Sequence, residues 1–222
     1  MGGLGLYCGF VMASINYYNP MNKHSGCIIV PYRDRAEHLA KFLPHYMGVL
    51  PIVVVEQADE KPFNRGKLLN IGVLETEYDY YVLHDVDMLA ETMEQYSYYP
   101  ENPTHLASAA SQFGYRVPYE EYFGGVTSVA REHIIKANGF PNECWGWGAE
   151  DDIFRMRLKG VDRIGNLRYI SLHHERDINW ELHEKNVQRM LNDNPNDGLT
   201  SCTYEIISRT EHYGYNSIKT IL

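Results

Sequence analysis

The 222 residues can form one large domain or two small ones, and a hydrophobic fraction of 44% is enough to bury a full core. A formal charge of −9 sets aside nucleic-acid binding and a polybasic membrane patch, but not a phosphate ligand held by a local cation or metal. No run reaches the roughly 18 apolar residues of a spanning helix, and Cys8, Cys27, Cys144 and Cys202 form no Cys-x-x-Cys pair that would suggest zinc-thiolate or thioredoxin chemistry.

Residues 1–25 read as an irregular lead-in, because Gly2 to Ser14 is mildly apolar yet lacks the basic start of a signal peptide. The remainder, 26–222, shows no repeat, linker or low-complexity stretch and reads as a single domain. Gly26 to Pro31 (GCIIVP) is expected to be a buried strand stopped by proline. Ala36 to Tyr46 carries Leu39, Phe42, Leu43 and Tyr46 at helical spacing, and Pro51 to Glu56 (PIVVVE) is a second, β-branched strand. Strand, helix and strand joined by a right-handed crossover predict a parallel pair. Asn64 is placed to cap a helix over Lys67 to Glu75, which leads into a third strand from Tyr81. The expected fold class is α/β, a Rossmann-like, mostly parallel central sheet flanked by helices.

Beyond Met88 the pattern is irregular, with Pro100, Pro103 and Pro118 among short strands and loops. Leu106 to Ala110 and Gly124 to Val129 read as strands, Arg131 to Asn138 as a helix closed by Gly139, and Asp151 to Lys159 as a helix stopped at Gly160. Asn166 to His173 reads as a strand and Trp180 to Asn192 as a helix. Ser201 to Arg209 and Tyr215 to Leu222 read as a closing hairpin. The 18 tyrosines exceed what core packing asks for and suit sugar stacking or interfaces.

Four groups of residues carry chemistry. The run Tyr81 to Asp87 (YVLHDVD) rises from apolar residues into two acids. It reads as a strand whose carboxyl end sends two carboxylates to opposite faces, one of them free to hold Mg²⁺ or Mn²⁺ beside a nucleotide. Arg33 and Arg35, after the first strand, and Arg65, after Phe63, are placed to meet phosphate or base oxygens, with Phe63 able to stack on a base. Cys144 to Asp152 (CWGWGAEDD) sets two tryptophans and two glycines before three acids. Acids at a helix start favour its dipole, but Trp147 beside Glu150 and Asp151 also suits a sugar site with a carboxylate base. Of His173 and His174, which follow a strand, only one is expected to reach an ion.

In this order the motifs VPYRDR, FNRGKLLNIG, HDVDML, EYFGGV, NGFPNECWGWGAEDD and HHERD resemble the β-1,4-galactosyltransferases, from about Ile28 to Arg209. The resemblance implies an inverting transferase of the GT-A fold that uses UDP-galactose and Mn²⁺. It implies that Asp87 and His174 bind the metal, and that Arg33, Arg35, Phe63, Arg65, Asp85 and Gly125 line the donor site. Tyr122 and Trp147 would serve both substrates, Trp147 on a small loop that closes. Gly148, Glu150 and Asp151 would hold the acceptor, with Asp151 as catalytic base. Tyr122 stands where members that use UDP-galactose carry tyrosine. A Golgi lumenal location is also implied, although this chain shows no transmembrane segment or clear signal peptide.

The sequence departs from the family at several points. Ser171 replaces the metal-binding methionine of lactose-synthase-like members, Arg176 replaces a histidine of xylose-specific members, and Gln112 replaces a basic residue near the phosphates. HERDINW and Ile207 to Thr210 resemble the xylose-specific type, while FGYRVPYEEYFGGV resembles the GlcNAc-specific type. A glycan or glycoside ending in either sugar is therefore the expected acceptor. The competing readings are a carbohydrate-binding module that kept the fold but lost catalysis, and a UDP-sugar hydrolase.

Overall fold

A computed structural model describes residues 23–175 and 178–222. The lead-in at residues 1–22, with Cys8, and position Arg176 lie outside the described residues. The chain runs β1 (Gly26–Tyr32), α1 (Ala36–Tyr46), β2 (Ile52–Gln57), α2 (Arg65–Leu74), β3 (Tyr80–His84), β4 (Met88–Ala90), β5 (Thr104–His105) and β6 (Ala109–Ala110). It continues through β7 (Val126–Ala130), α3 (Arg131–Lys136), α4 (Glu150–Arg157), β8 (Asp162–Arg163), β9 (Arg168–Ser171), α5 (Trp180–Leu191), β10 (Glu205–His212) and β11 (Tyr215–Ile221).

The large sheet has the order β10-β11-β2-β1-β3-β7-β5-β8, and a small one the order β4-β9-β6. Strands β11, β2, β1 and β3 are mutually parallel, with β1 at the centre. Its odd residues Cys27 and Ile29 pack with Leu68, Leu69 and Ile71 of α2 on one face. Its even residues Ile28 and Val30 pack with Phe42 and Tyr46 of α1 on the other. A strand covered on both faces must be apolar throughout, which is why GCIIV shows no alternation. Helix α2 is itself enclosed, buried from Gly66 to Val73. It starts two residues earlier than the spacing predicts because the Asn64 side chain accepts from Lys67 N at 2.9 Å.

Two expectations are corrected. Leu106 to Ala110 is not one strand. Leu106 N and Ala107 N both donate to Val126 O, at 3.0 and 3.1 Å. That shared acceptor breaks the ladder, so β5 stays in the large sheet and β6 passes to the small one. Nor does Pro31 stop β1: it pairs with Val55 of β2, and the strand runs on to Tyr32, opposite Glu56. Part of the tyrosine surplus packs the core. Tyr46, Tyr80, Tyr81, Tyr96 and Tyr169 are fully buried.

Three of those rings form a polar core beneath the carboxyl end of β3. His84 Nδ1 lies 2.8 Å from Asp85 O and its Nε2 lies 2.7 Å from the Tyr96 hydroxyl. The Tyr96 oxygen also meets those of Tyr46 and Tyr169, at 3.2 and 3.0 Å. Tyr46 then donates to Met88 O at 3.1 Å and accepts from Ala90 N at 2.8 Å. Burial drives the His84 pKa down to about 3, so the ring is neutral and the turn from Asp85 to Met88 rests on a fully paired network.

Candidate active site

Strand β3 ends at His84, and the chain turns through Asp85, Val86 and Asp87 into β4. Strand geometry alone would not send the two acids to opposite faces, as expected from the sequence, because residues two apart on a strand share a face; it is the turn after His84 that separates Asp85 from Asp87. Asp85 N is tied to Gly125 O at 3.0 Å. Gly125 has φ +82, and a Cβ there would stand 3.2 Å from Ala107, so the backbone needs glycine at this approach.

The Asp85 carboxylate accepts from Arg65 Nε at 2.6 Å, and Arg65 Nη1 lies 3.6 Å from Glu150 Oε1. Arg65 comes from the first turn of α2 and Glu150 from the first turn of α4, so one guanidinium joins two helix starts to the β3 turn. Burial works against the Arg65 charge, but Asp85, Glu150 and Asp151 outweigh it and raise its pKa. Burial raises the Glu150 pKa first and the Asp151 charge adds to it, with Arg65 opposing. Asp151 is likewise raised by burial, against Arg65, with Asp152 and Asp85 adding to the rise. The two acids titrate as a pair above the ordinary carboxylate range.

Asp87 meets a different partner. Strands β4 and β9 pair Met88 with Ser171, and Leu172 N donates to Asp87 O at 2.7 Å. That register brings His174 Nδ1 to 3.1 Å from Asp87 Oδ2, while the His173 ring is exposed. Burial pushes Asp87 upward, but the His174 hydrogen bond and charge and, more weakly, His38 bring its pKa below the usual value. A carboxylate paired with an imidazole suits a first-row divalent ion such as manganese. Among the described residues no three His, Cys, Asp or Glu side chains are already gathered to hold one.

Around this centre the other predicted residues occupy two walls. Arg33 donates to Lys61 O at 2.5 Å and stands over the Phe63 ring at 5.5 Å. Arg35 caps α1. These three lie past the carboxyl ends of β1 and β2, as Asp85 lies past β3, which is the crevice edge of a parallel sheet. The opposite wall holds Tyr122, ringed by His105, Phe113 and Tyr119 at 5.4 to 5.5 Å. Tyr119 donates to Asp152 at 2.7 Å. A Cβ on Gly124 would stand 2.3 Å from Asp151 Oδ2 and 2.8 Å from the Tyr122 hydroxyl, so this glycine admits both groups.

The tryptophan segment is held at three points. Gly146 N donates to Phe63 O at 2.8 Å, Asn186 donates to Trp145 O at 2.9 Å, and His183 Nδ1 lies 3.2 Å from Trp147 O. Trp147 is 46% exposed and stacks on His183, ring centres 5.0 Å apart. Gly148 has φ +100, and a Cβ on it would stand only 2.7 Å from His183 Nδ1. His183 and His38 are site neighbours that the sequence does not flag. Each is a lone histidine on a helix, and only the packing of α5 and α1 reveals what it meets.

The sheet order, with the acids past the carboxyl end of β3, is the arrangement of the GT-A fold. Family models agree: residues 12–100 match the N-terminal region of glycosyl transferase group 7, and 104–169 match a domain described as the N-terminal domain of galactosyltransferase. Human beta-1,4-galactosyltransferase 4 is 37% identical over 207 residues, covering 83% of this chain and 59% of its own length. Bovine beta-1,4-galactosyltransferase 3 is 39% identical over 203 residues, covering 82% and 51%. A variant of Drosophila beta-1,4-galactosyltransferase 7, solved with manganese, UDP-Gal and xylobiose, superposes with a TM-score of 0.74 at 30% identity. That match covers 90% of this chain and 94% of the other. The chain belongs to the β-1,4-galactosyltransferase family, and it spans 59% and 51% of the two curated relatives.

Proposed function

We propose that the chain, as a single catalytic domain over 26–222, transfers galactose from UDP-galactose to a hydroxyl of a xylose- or GlcNAc-terminated acceptor. The linkage formed is β-1,4 and the anomeric centre is inverted. One observation carries the reading: the Asp87–His174 pair and the raised Glu150–Asp151 pair meet at one end of the sheet, joined through Asp85 and Arg65. The family relationship and the Drosophila complex with UDP-Gal, manganese and xylobiose support it.

Arg33, Arg35 and Phe63 receive the nucleotide, Arg33 by its guanidinium and Phe63 by its ring face. Asp85, held by Arg65 and by Gly125 O, fixes the donor's position beside Asp87. Asp87 and His174 would hold manganese, which would supply positive charge to the departing diphosphate. Asp151 takes the proton of the acceptor hydroxyl, whose oxygen attacks the anomeric carbon on the side opposite UDP. A single displacement inverts the centre and needs no covalent intermediate. Glu150 binds acceptor hydroxyls, while Tyr122, Trp147 and Gly148 line the sugar sites and exclude water.

The test is an assay of UDP release and product with UDP-galactose, Mn²⁺ and a panel of β-xylosides and GlcNAc glycosides. Acceptor-dependent release is expected. Binding without release would indicate the carbohydrate-binding module, and release that no acceptor accelerates would indicate the hydrolase.

Two further outcomes follow from the geometry. Because Asp151 must be ionised to act and its pKa is raised, kcat/KM is expected to fall on acidification with a midpoint above the ordinary aspartate value of about 3.9. A pH–rate profile flat down to that value would remove Asp151 from the role. Tyr122→Leu, by opening space beside Gly124, is expected to raise the turnover of UDP-GalNAc relative to UDP-galactose by roughly 10-fold or more. Donor-competition kinetics would read this, and an unchanged ratio would count against Tyr122 as the selector.

A further inference from the structure

Asp87 and His174 are two donors, and a divalent ion of this kind takes more than two. Ser171, where some relatives carry methionine, turns its hydroxyl to Met88 Sδ at 3.4 Å, and the His173 ring is exposed. A third imidazole reaches the pair from another element. His38 of α1 stands with its ring centre 5.9 Å from that of His174, edge to face at 71°. Its Nε2 lies 3.2 Å from the His173 carbonyl oxygen. A carbonyl oxygen can only accept, so in the neutral ring Nε2 carries the proton and Nδ1 carries the lone pair.

That Nδ1 is buried and has no hydrogen-bond partner. A buried acceptor without a partner calls for an explanation. The arrangement is the one ligating histidines adopt, with the second ring nitrogen donating to a backbone carbonyl to fix the tautomer and orientation. We infer that His38, through Nδ1, is a third protein donor to the divalent cation at Asp87 and His174. The inference rests on the assignment of those two residues under Proposed function.

The distances are compatible. Two imidazoles on one ion, with metal–nitrogen bonds of about 2.1 Å, hold their ring centres roughly 5 Å apart. The observed 5.9 Å requires a closing shift on the order of 1 Å, within reach of side-chain rotation.

The test is Mn²⁺ titration of the full chain without nucleotide, by calorimetry, together with pulsed electron paramagnetic resonance that counts nitrogen nuclei bound to the ion. Wild type is expected to show two ligated imidazole nitrogens. His38→Ala and His38→Gln are expected to show one, with Mn²⁺ affinity lowered by about 10-fold or more. Glutamine can still donate to the His173 carbonyl, so it preserves that contact if alanine perturbs the fold. A single nitrogen in wild type, or an unchanged count and affinity in His38→Gln, overturns the inference. Asp87→Asn separates the two levels. If it weakens Mn²⁺ binding while His38→Gln does not, only the His38 inference falls. If it leaves binding unchanged, the metal assignment falls as well.

Discussion

Replacing Asp151 by asparagine is expected to lower galactosyl transfer by about 10²- to 10⁴-fold, the range set by loss of a general base, with UDP affinity near that of wild type. The amide keeps the shape of the carboxyl group but cannot take a proton. The same substitution is expected to stabilise the protein at neutral pH. Burial raises the Asp151 pKa in the fold, Arg65 opposing and Asp152 and Asp85 adding to it. A folded-state value above the unfolded one gives stability that is fully present below the unfolded pKa and is lost as pH rises through the folded pKa. At pH 7.5 the ionised group is therefore a net cost, and Asp151→Asn should gain about 1–3 kcal/mol. For a chain of this size that is roughly 2–4 °C of melting temperature per kcal/mol. The gain should vanish near pH 4. Near-native turnover, or a melting temperature lowered at pH 7.5, would remove Asp151 as the buried base.

Arg65→Ala is expected to be the most damaging change to stability, about 3–5 kcal/mol, because it strips a buried partner from charges that stay behind. The guanidinium side chain is only 13% exposed and serves Asp85 and Glu150 together. Chemical denaturation would measure the loss. In the double variant with Glu150→Gln, part of the loss should return, since one stranded carboxylate is gone, so the two effects should not add. A near-neutral single variant, or strict additivity, would show that Arg65 does not hold the site together.

The central strands were legible from residue type. β1, β2 and β3 are short, largely apolar runs, with Pro51 ahead of β2 and Asp79 and Asp85 on either side of β3, and burial on both faces leaves them little choice of partner. The helix over Ala36–Tyr46 was equally legible, because Phe42 and Tyr46 recur at its spacing. What the sequence could not supply was the crossing at Ala107. That depends on Val126 offering one carbonyl to two successive amides, a contact between residues far apart in the chain.

The candidate site divides in the same way. DVD and EDD are visible because each sets acids directly after an apolar or aromatic stretch. The partners they select are tertiary facts. His174 reaches Asp87 through the β4–β9 register, and Arg65 reaches Glu150 through the meeting of two helix starts. The tyrosine surplus was visible in composition, which counts rings without saying where their hydroxyls go. Tyr46, Tyr96 and Tyr169 bury theirs against one another and His84.

The outermost strand of the large sheet, β10, carries one more implication. Its ladder to β11 slips between Ile206 and Ser208, and Ile207, left out of register, is 50% exposed. Such a kink, together with Arg209 and Glu211 farther along, spoils the flat rim on which another molecule's strand could lie down. Concentrated solutions should therefore resist fibril growth from this border. Exchanging Arg209 and Glu211 for valine would turn it into a template.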